Sequence, residues 1–240
     1  MLDKQSPIPI YIQIEEQLKQ QVQQGDFPIG TAIPSERELT ERFDVSRMTV
    51  RQAITNLVND GLLYREKGRG TFVASPKVEQ PLTGLTSFTE DMMARGMVPS
   101  SKLINFEILE PDSDIAAALQ LEQGAEVYFI ERIRFADDKP MAIERTYLPV
   151  EKFPDLVQNS FTGSLYAMIE KDQQLTISHA TQQMEAGLVK KEDADLLQIK
   201  PPAAILMIER VSYLAGEIPF EVVRSTYRAD RYKFTTDIQR

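Results

Sequence analysis

The chain has 240 residues, 42% of them hydrophobic and 26% charged, with a formal net charge of −9 at pH 7. This supports a sizeable apolar core in one large or two modest domains, and the acidic balance argues against nonspecific coating of nucleic acid. Cysteine and tryptophan are absent and His179 is the single histidine, which excludes disulfides, thiolate or multi-histidine zinc sites and cysteine nucleophiles, and fits a reducing compartment.

No run of ~18 apolar residues predicts a membrane span, and the opening MLDKQSPIPIY lacks a basic region followed by an apolar one, so no signal peptide is expected. No internal repeat or low-complexity segment is evident. Residues 1–75 carry 9 Lys+Arg against 10 Asp+Glu, leaving 18 against 26 beyond them. Any nucleic-acid contact in the first part must therefore use a focused patch.

In chain order, Pro7 to Gly25 reads as a helix, with Ile10, Ile14, Leu18 and Val22 forming an apolar stripe and Gly25 suited to a left-handed cap. Ser35 and Glu38 in PSERELTERF have capping-box spacing, which predicts a short helix from Glu36. Ser46 can cap a third helix from Arg47 to about Asp60, with Val50, Ala53, Ile54, Leu57 and Val58 on its buried face and Gly61 after it. Two helices joined by a short turn, the second opening on arginines, form a helix-turn-helix pattern. LLYRE and GTFVA then read as two short strands around Lys67-Gly68-Arg69-Gly70, a β-hairpin wing.

Arg47 and Arg51 are four apart and share a face opposite Ile54 and Leu57. Arginine forks near the start of a recognition helix suit guanine edges in the major groove. Arg47 opposes the helix dipole there, a small cost that favours a functional reason over a merely solvated basic face. Lys67 and Arg69 flank Gly68, where glycine allows close backbone approach to a groove. Glu36, Glu38 and Glu41 are available to pair with these arginines in the free protein.

Residues 75–84, SPKVEQPLTG, read as a linker. The expected organisation is thus a winged helix-turn-helix domain over 1–75, a linker over 76–84 and a second domain over 85–240. In that second part, strands are predicted at Leu103–Leu109, Val127–Ala136, Met141–Leu148, Leu175–Met184, Ala204–Leu214 and Pro219–Tyr227. Short helices are predicted near 112–120, 151–158, 164–171 and 191–198, and hairpin turns at Asp137-Asp138-Lys139 and Ala215-Gly216. These make an α+β domain on a mainly antiparallel sheet.

Arg132 and Arg134 are two apart on a predicted strand and so share a face. Two adjacent arginines need an anion between them. That anion is either the phosphate of a small ligand or Glu144 on the next strand, and spacing leaves both open. Ser87 and Glu90 in LTSFTEDM have capping-box spacing, and a helix start there would offer free N–H groups to an anion near Ser87, Phe88 and Thr89. Glu221, Val223, Ser225 and Tyr227 alternate onto one strand face, and Glu144 and Glu221 can accept from hydroxyls or an amine. His179 reads as structural, the methionines as core or interface, and Asp230 with Arg231 as an ion pair or chain-end contact. No catalytic constellation, metal site or cofactor motif is found.

The stretch PSERELTERFDVSRMTVRQAITNLVNDGLLYREKGRGTFV resembles the DNA-binding domain of GntR-type bacterial regulators. GLTSFTEDMMARGMVPSSKL and RSTYRADRYKF resemble the entry and exit of the effector (UTRA) domain of the HutC subfamily, and the similarity runs nearly the whole chain. The resemblance implies a chorismate lyase-like effector domain and a cytoplasmic, homodimeric repressor of amino-sugar (N-acetylglucosamine) utilisation genes on a palindromic operator in double-stranded DNA. It also implies that Arg37, Arg47 and Arg51 contact DNA, with Ser46 and Thr49 on phosphates and Gly68 in the minor groove between Lys67 and Arg69. Ser87, Phe88, Thr89, Arg132, Arg134, Ser164 and Tyr166 would hold the phosphate of a sugar phosphate, such as glucosamine-6-phosphate or N-acetylglucosamine-6-phosphate. Glu144, Glu221 and Tyr227 would meet the sugar. The alternatives are a HutC-type regulator answering a different small anion and, from the lyase-like fold, an enzyme.

Overall fold

The apolar stripe of the first helix is what seats the N-terminal unit. In the computed structural model, which describes residues 2–75, 77–82, 84–154, 156–157, 164–171 and 173–238, α1 spans Ile10–Gln23 and buries Ile14 and Leu18. Helix α2 (Glu36–Phe43) opens on the expected capping box. The Ser35 hydroxyl accepts from the Glu38 N–H at 3.2 Å, and the Glu38 carboxylate accepts from the Ser35 N–H at 2.7 Å. Helix α3 (Arg47–Asn59) is capped by Ser46, which accepts from the Thr49 N–H. Gly61, at φ +74, turns the chain out of α3 in a conformation that favours glycine. Ile14, Leu18, Leu39, Val50, Ala53, Ile54, Leu57, Leu63 and Val73 share one core. Strands β1 (Leu63–Glu66) and β2 (Gly70–Val73) form the wing in antiparallel register, with Leu63 opposite Val73. A third short run pairs with β2: Gly30 N–H donates to the Val73 carbonyl and Ile33 N–H to the Thr71 carbonyl.

The chain divides into two compact units, Met1–Val78 and Glu79–Arg240. Part of the stretch expected as a linker is regular structure. Strand β3 (Val78–Pro81) pairs with the last strand, β10 (Tyr232–Thr235), and the Leu82 N–H donates to the Thr235 carbonyl at 2.8 Å. Helix α4 (Phe88–Ala94) follows its predicted capping box at Ser87 and Glu90.

The second unit is built on a six-stranded antiparallel sheet of order β4-β5-β6-β9-β8-β7. These strands are β4 (Pro99–Leu109), β5 (Val127–Ala136), β6 (Lys139–Pro149), β7 (Ile177–Leu188), β8 (Ala204–Leu214) and β9 (Ile218–Arg228). The order describes two three-stranded meanders, β4-β5-β6 and β7-β8-β9, joined at their last strands. Each meander carries a helix between its first two strands, α5 (Ser113–Ala118) and α7 (Lys191–Leu197). The tripeptide Ile-Glu-Arg occurs at equivalent places, 130–132 and 208–210. Glu131 pairs with Arg145 at 2.8 Å in one half and Glu209 with Arg224 at 2.6 Å in the other. Arg145 and Arg224 lie directly opposite each other where the halves meet. The unit is therefore an internal repeat, contrary to the expectation of none. It escapes notice in the sequence because the hairpin turns differ in length and few identities survive.

The two faces of the sheet are used differently. On one, α5 packs Ile115 and Leu119 on Val127 and Val222, and α7 packs Leu197 on Ile133 and Ile143. On the other, α6 (Leu165–Lys171) covers a core of Tyr128, Ile130, Leu148, Phe153, Leu214 and Phe220. The helix expected near 151–158 is only a 3₁₀ turn, Val150–Lys152. Pro154 sits where a longer helix would need a backbone donor, and residues 155 and 158 lie outside the described residues.

Phe220 is fully buried against Phe153, their ring centroids 6.2 Å apart. Phe220→Ala is expected to cost the second unit about 3–5 kcal/mol, read as a lowered urea midpoint for that unit.

Candidate nucleic-acid interface and anion pocket

In the first unit, the cap at Ser46 brings Arg47 and Arg51 onto one exposed face of α3, away from buried Ile54 and Leu57. A single carboxylate holds them. Arg47 Nε lies 3.4 Å from Glu36 Oε2, Arg51 Nη2 lies 3.1 Å from the same oxygen, and Arg65 Nη2 lies 3.8 Å from Glu36 Oε1. The hydrogen bond from Arg51 is the main cause that keeps the Glu36 carboxyl below its ordinary pKa. Arg37 instead pairs with Glu41 at 3.0 Å. The hydroxyls of Ser46 and Thr49 are 2.8 Å apart. In the wing turn Gly68 sits at φ +78, and Arg69 pairs with Glu66 and lies over the Phe72 ring. The eight residues singled out in sequence thus occupy the first turn of α2, the cap and first two turns of α3, and the wing tip. Sequence reasoning did not single out Arg65, which projects from β1 to Glu36 and donates to Thr55 Oγ1 at 3.1 Å. It also passed over Met48, 68% exposed in the first turn of α3.

In the second unit, all ten residues proposed for a ligand line one pocket on the α6 face of the sheet. Arg132 and Arg134 are each only 3% exposed. Glu144 sits directly across from Arg132 in the β5–β6 register, and its Oε2 accepts from Arg132 Nη2 at 3.1 Å and from Arg134 Nη1 at 3.2 Å. The internal ion pair left open by spacing is therefore present. Arg134 also donates to Thr89 Oγ1 at 2.9 Å and lies 4.6 Å from the Phe88 ring centroid, which ties the start of α4 to the strand. Ser164, just ahead of α6, donates to Ser87 Oγ at 3.3 Å.

The far side of the pocket is polar but differently charged. The hydroxyls of Tyr166 and Ser212 lie 2.9 Å apart, and both reach Glu221 Oε2, at 3.2 and 2.8 Å. Arg210, at the place in the second meander equivalent to Arg132, donates twice to Gln182 Oε1, at 3.0 and 2.7 Å, and once to the Thr86 carbonyl at 3.4 Å. Sequence reasoning missed Arg210, and the repeated Ile-Glu-Arg was the signal that could have found it. Gln80 of β3 also lines the pocket and hydrogen-bonds Asp91, which in turn accepts from Thr86 and pairs with Arg95.

The two glutamates are pushed in opposite directions. Burial alone would raise Glu144, but Arg134 and Arg132 outweigh it and hold its carboxyl below the ordinary range. Burial raises Glu221, and the Ser212 hydroxyl and Arg210 offset this only in part. Burial likewise keeps Tyr166 and Tyr227 as neutral phenols. The pocket therefore presents three arginine forks, hydroxyl donors and one carboxyl inclined to keep its proton, an array suited to binding a polar anion. Among the described residues no group of three or more His, Asp or Glu is placed to hold a metal. His179 lies away from the pocket, stacked on Tyr213 at 4.6 Å. Asp230 pairs with Arg228 at 2.7 Å, and the charge of the expected Arg231 also acts on it. No described helix is long and apolar enough to cross a membrane.

Two family models match the chain: the gntR family of bacterial regulatory proteins over residues 10–73, and the UTRA domain over residues 94–233. The chain is 48% identical over 233 residues to the HTH-type transcriptional repressor NagR of Bacillus subtilis (strain 168), covering 97% of this chain and 96% of that one. It is 35% identical to the mannosyl-D-glycerate transport/metabolism system repressor MngR of Escherichia coli (strain K12), covering 97% of each. Among solved structures, PhnF from Mycobacterium smegmatis superposes with a TM-score of 0.68 at 34% identity, over 94% of this chain and 99% of that one.

The raised Glu221 gives a pH prediction with a definite sign. Above the unfolded value of about 4.3, and up to its higher folded value, the folded chain keeps a proton that the unfolded chain has released. Stability from this group is thus full below that window and is lost as pH rises through it. Glu221→Gln should therefore gain stability relative to the parent between about pH 4 and pH 7. Urea melts of both proteins at the two pH values check this, and parallel pH profiles would show that Glu221 carries no such linkage.

Proposed function

Because the chain belongs to the gntR family of bacterial regulatory proteins and carries a UTRA domain behind its helix-turn-helix, we propose that it represses amino-sugar utilisation genes and leaves a palindromic operator when a sugar phosphate fills the C-terminal pocket. The observation that carries the effector reading is the pair of buried arginines on β5, beside the start of α4, in a pocket that also offers hydroxyls and carboxylates. Arginine forks and hydroxyl donors suit a phosphate, and Glu144 and Glu221 suit the hydroxyls or amine of a sugar. Glucosamine-6-phosphate and N-acetylglucosamine-6-phosphate fit that description. Support for repression comes from the Bacillus subtilis relative, itself a transcriptional repressor.

The protein acts as a homodimer in this reading. A two-fold assembly presents two identical recognition helices to the two halves of a palindrome. Arg47, Arg51 and Arg37 make base and phosphate contacts, Ser46 and Thr49 hold phosphates, and Lys67, Gly68 and Arg69 reach the minor groove. Effector binding acts on Ser87, Phe88 and Thr89 at the start of α4, and this repositions the two DNA-binding units so that they no longer span both half-sites. Ligand and operator then weaken each other's binding by the same factor. Work beside DNA places the protein in the cytoplasm. A sensor returns its ligand unchanged, so turnover of the sugar phosphate would favour the enzyme reading instead.

A labelled palindromic duplex, followed by fluorescence anisotropy at fixed salt, tests the reading. Millimolar glucosamine-6-phosphate should weaken operator binding, while glucose-6-phosphate and inorganic phosphate should not. Arg132→Ala should keep operator binding and lose the response, because removing one partner of a buried charge pair costs about 2 kcal/mol or more, roughly 30-fold in ligand affinity. Tight operator binding indifferent to every amino-sugar phosphate would sink the effector assignment and leave the regulator.

A further inference from the structure

Two guanidiniums buried to 3% exposure share one carboxylate oxygen, Glu144 Oε2. That oxygen already uses one donor from each of the two arginines that a ligand phosphate would draw on. One donor beside it is unspent: Arg134 Nε is buried with no hydrogen-bond partner among the described residues. Among the described residues Arg132 and Arg134 are the cations at ion-pair distance from Glu144, and the charge of Arg210 acts on it from farther off. Ser225 lies opposite it across the β6–β9 pair, and the nearby carboxyl of Glu221 would repel it if ionised.

We propose that Glu144 is an internal counter-ion that competes with the ligand's phosphate, so that the pocket admits phosphate monoesters carrying hydroxyl or amine donors and turns away inorganic phosphate. The inference rests on the phosphate-binding reading of the pocket and adds the rule of selection. A phosphate that takes Arg132 and Arg134 displaces Glu144 Oε2, leaving a buried carboxylate without its donors, which is costly. A sugar bearing hydroxyls or an amine beyond the ester oxygen supplies new donors to the displaced carboxylate and closes the exchange. Inorganic phosphate and methyl phosphate bring no such donors. An anion already resident on the arginines also lowers the apparent affinity of every phosphate by the fraction of time it stays there.

Calorimetric titrations of the full chain with inorganic phosphate, methyl phosphate, glucose-6-phosphate and glucosamine-6-phosphate test this. In the parent protein, inorganic and methyl phosphate should bind at least about tenfold more weakly than the sugar phosphate that binds best, and in Glu144→Gln inorganic phosphate should tighten about tenfold while that sugar phosphate gains nothing. Methyl phosphate binding within about threefold of that sugar phosphate overturns the proposal using the parent protein alone, so the test survives a variant that folds poorly. An unchanged or weaker affinity of Glu144→Gln for inorganic phosphate, with a parent-like melting curve, also overturns it and makes Glu144 a residue that merely orients the arginines. If glucosamine-6-phosphate fails to bind the parent while Glu144→Gln gains inorganic phosphate, the amino-sugar reading falls and the counter-ion stands.

Discussion

Like charges crowded on one face need a shared opposite charge, and in each unit that charge is a single glutamate. Glu36 gathers Arg47, Arg51 and Arg65 at the protein surface, and Glu144 gathers Arg132 and Arg134 in the interior. The arrangement is the same and the energetics are not. At Glu36 water and salt screen the pairs, so the arginines are held loosely and exchange partners at little cost. At Glu144 the three side chains are nearly buried, and breaking the pair without a replacement leaves buried charge uncompensated. One cluster is therefore suited to a large polyanion that displaces the glutamate by mass of contacts, the other to a small ligand that must match it group for group.

The buried cluster owes its geometry to sheet register. The β5–β6 pair sets Arg132 against Glu144, and the alternation of β5 puts Arg134 on the same face. A slip of one residue in that pairing would put the arginines and Glu144 on different faces, one of them the face covered by α5 and α7. The register is held in turn by the repeat. On that opposite face Arg145 and Arg224 stand side by side at the join, a pairing that alone would be destabilising. Glu131 and Asp193 on one side and Glu209 on the other neutralise it. The two halves have diverged where the pocket needs difference. Arg132 and Arg210 persist as counterparts, while Arg134 has Ser212 at the corresponding place, giving one strongly cationic end and one lined by hydroxyls.

Much of this was legible in the sequence, for identifiable reasons. Capping at Ser35, Ser46 and Ser87 depends on a few adjacent residues, so local spacing located α2, α3 and α4 closely. Strands β5 and β8 were found end to end because ten or more residues of apolar alternation survive noise. Strands β3 and β10 were missed because each has only four residues and exists through the other, a pairing no local pattern encodes. Arg210 was missed for a similar reason: its importance comes from the fold bringing a second meander round to the first. Arg132, Arg134, Glu144, Glu221 and Tyr227 converge because register and alternation bring them together, and the other five pocket residues arrive with the starts of α4 and α6, whereas polar partners such as Gln182 for Arg210 depend on side-chain reach across a strand pair.

The seam between β3 and β10 has a consequence for how the molecule comes into being. The first of these strands directly follows the DNA-binding unit, and the second is made only after all six strands of the large sheet. During synthesis the winged unit, whose core is complete within itself, folds early. Strand β3, which follows it, stays unpaired until β10 has been made. Gln80, on that late-fastened strand, also forms part of the pocket wall. A ribosome that stalls short of Tyr232 would therefore release a product able to fold its DNA-binding half but lacking the closure that completes its sensor.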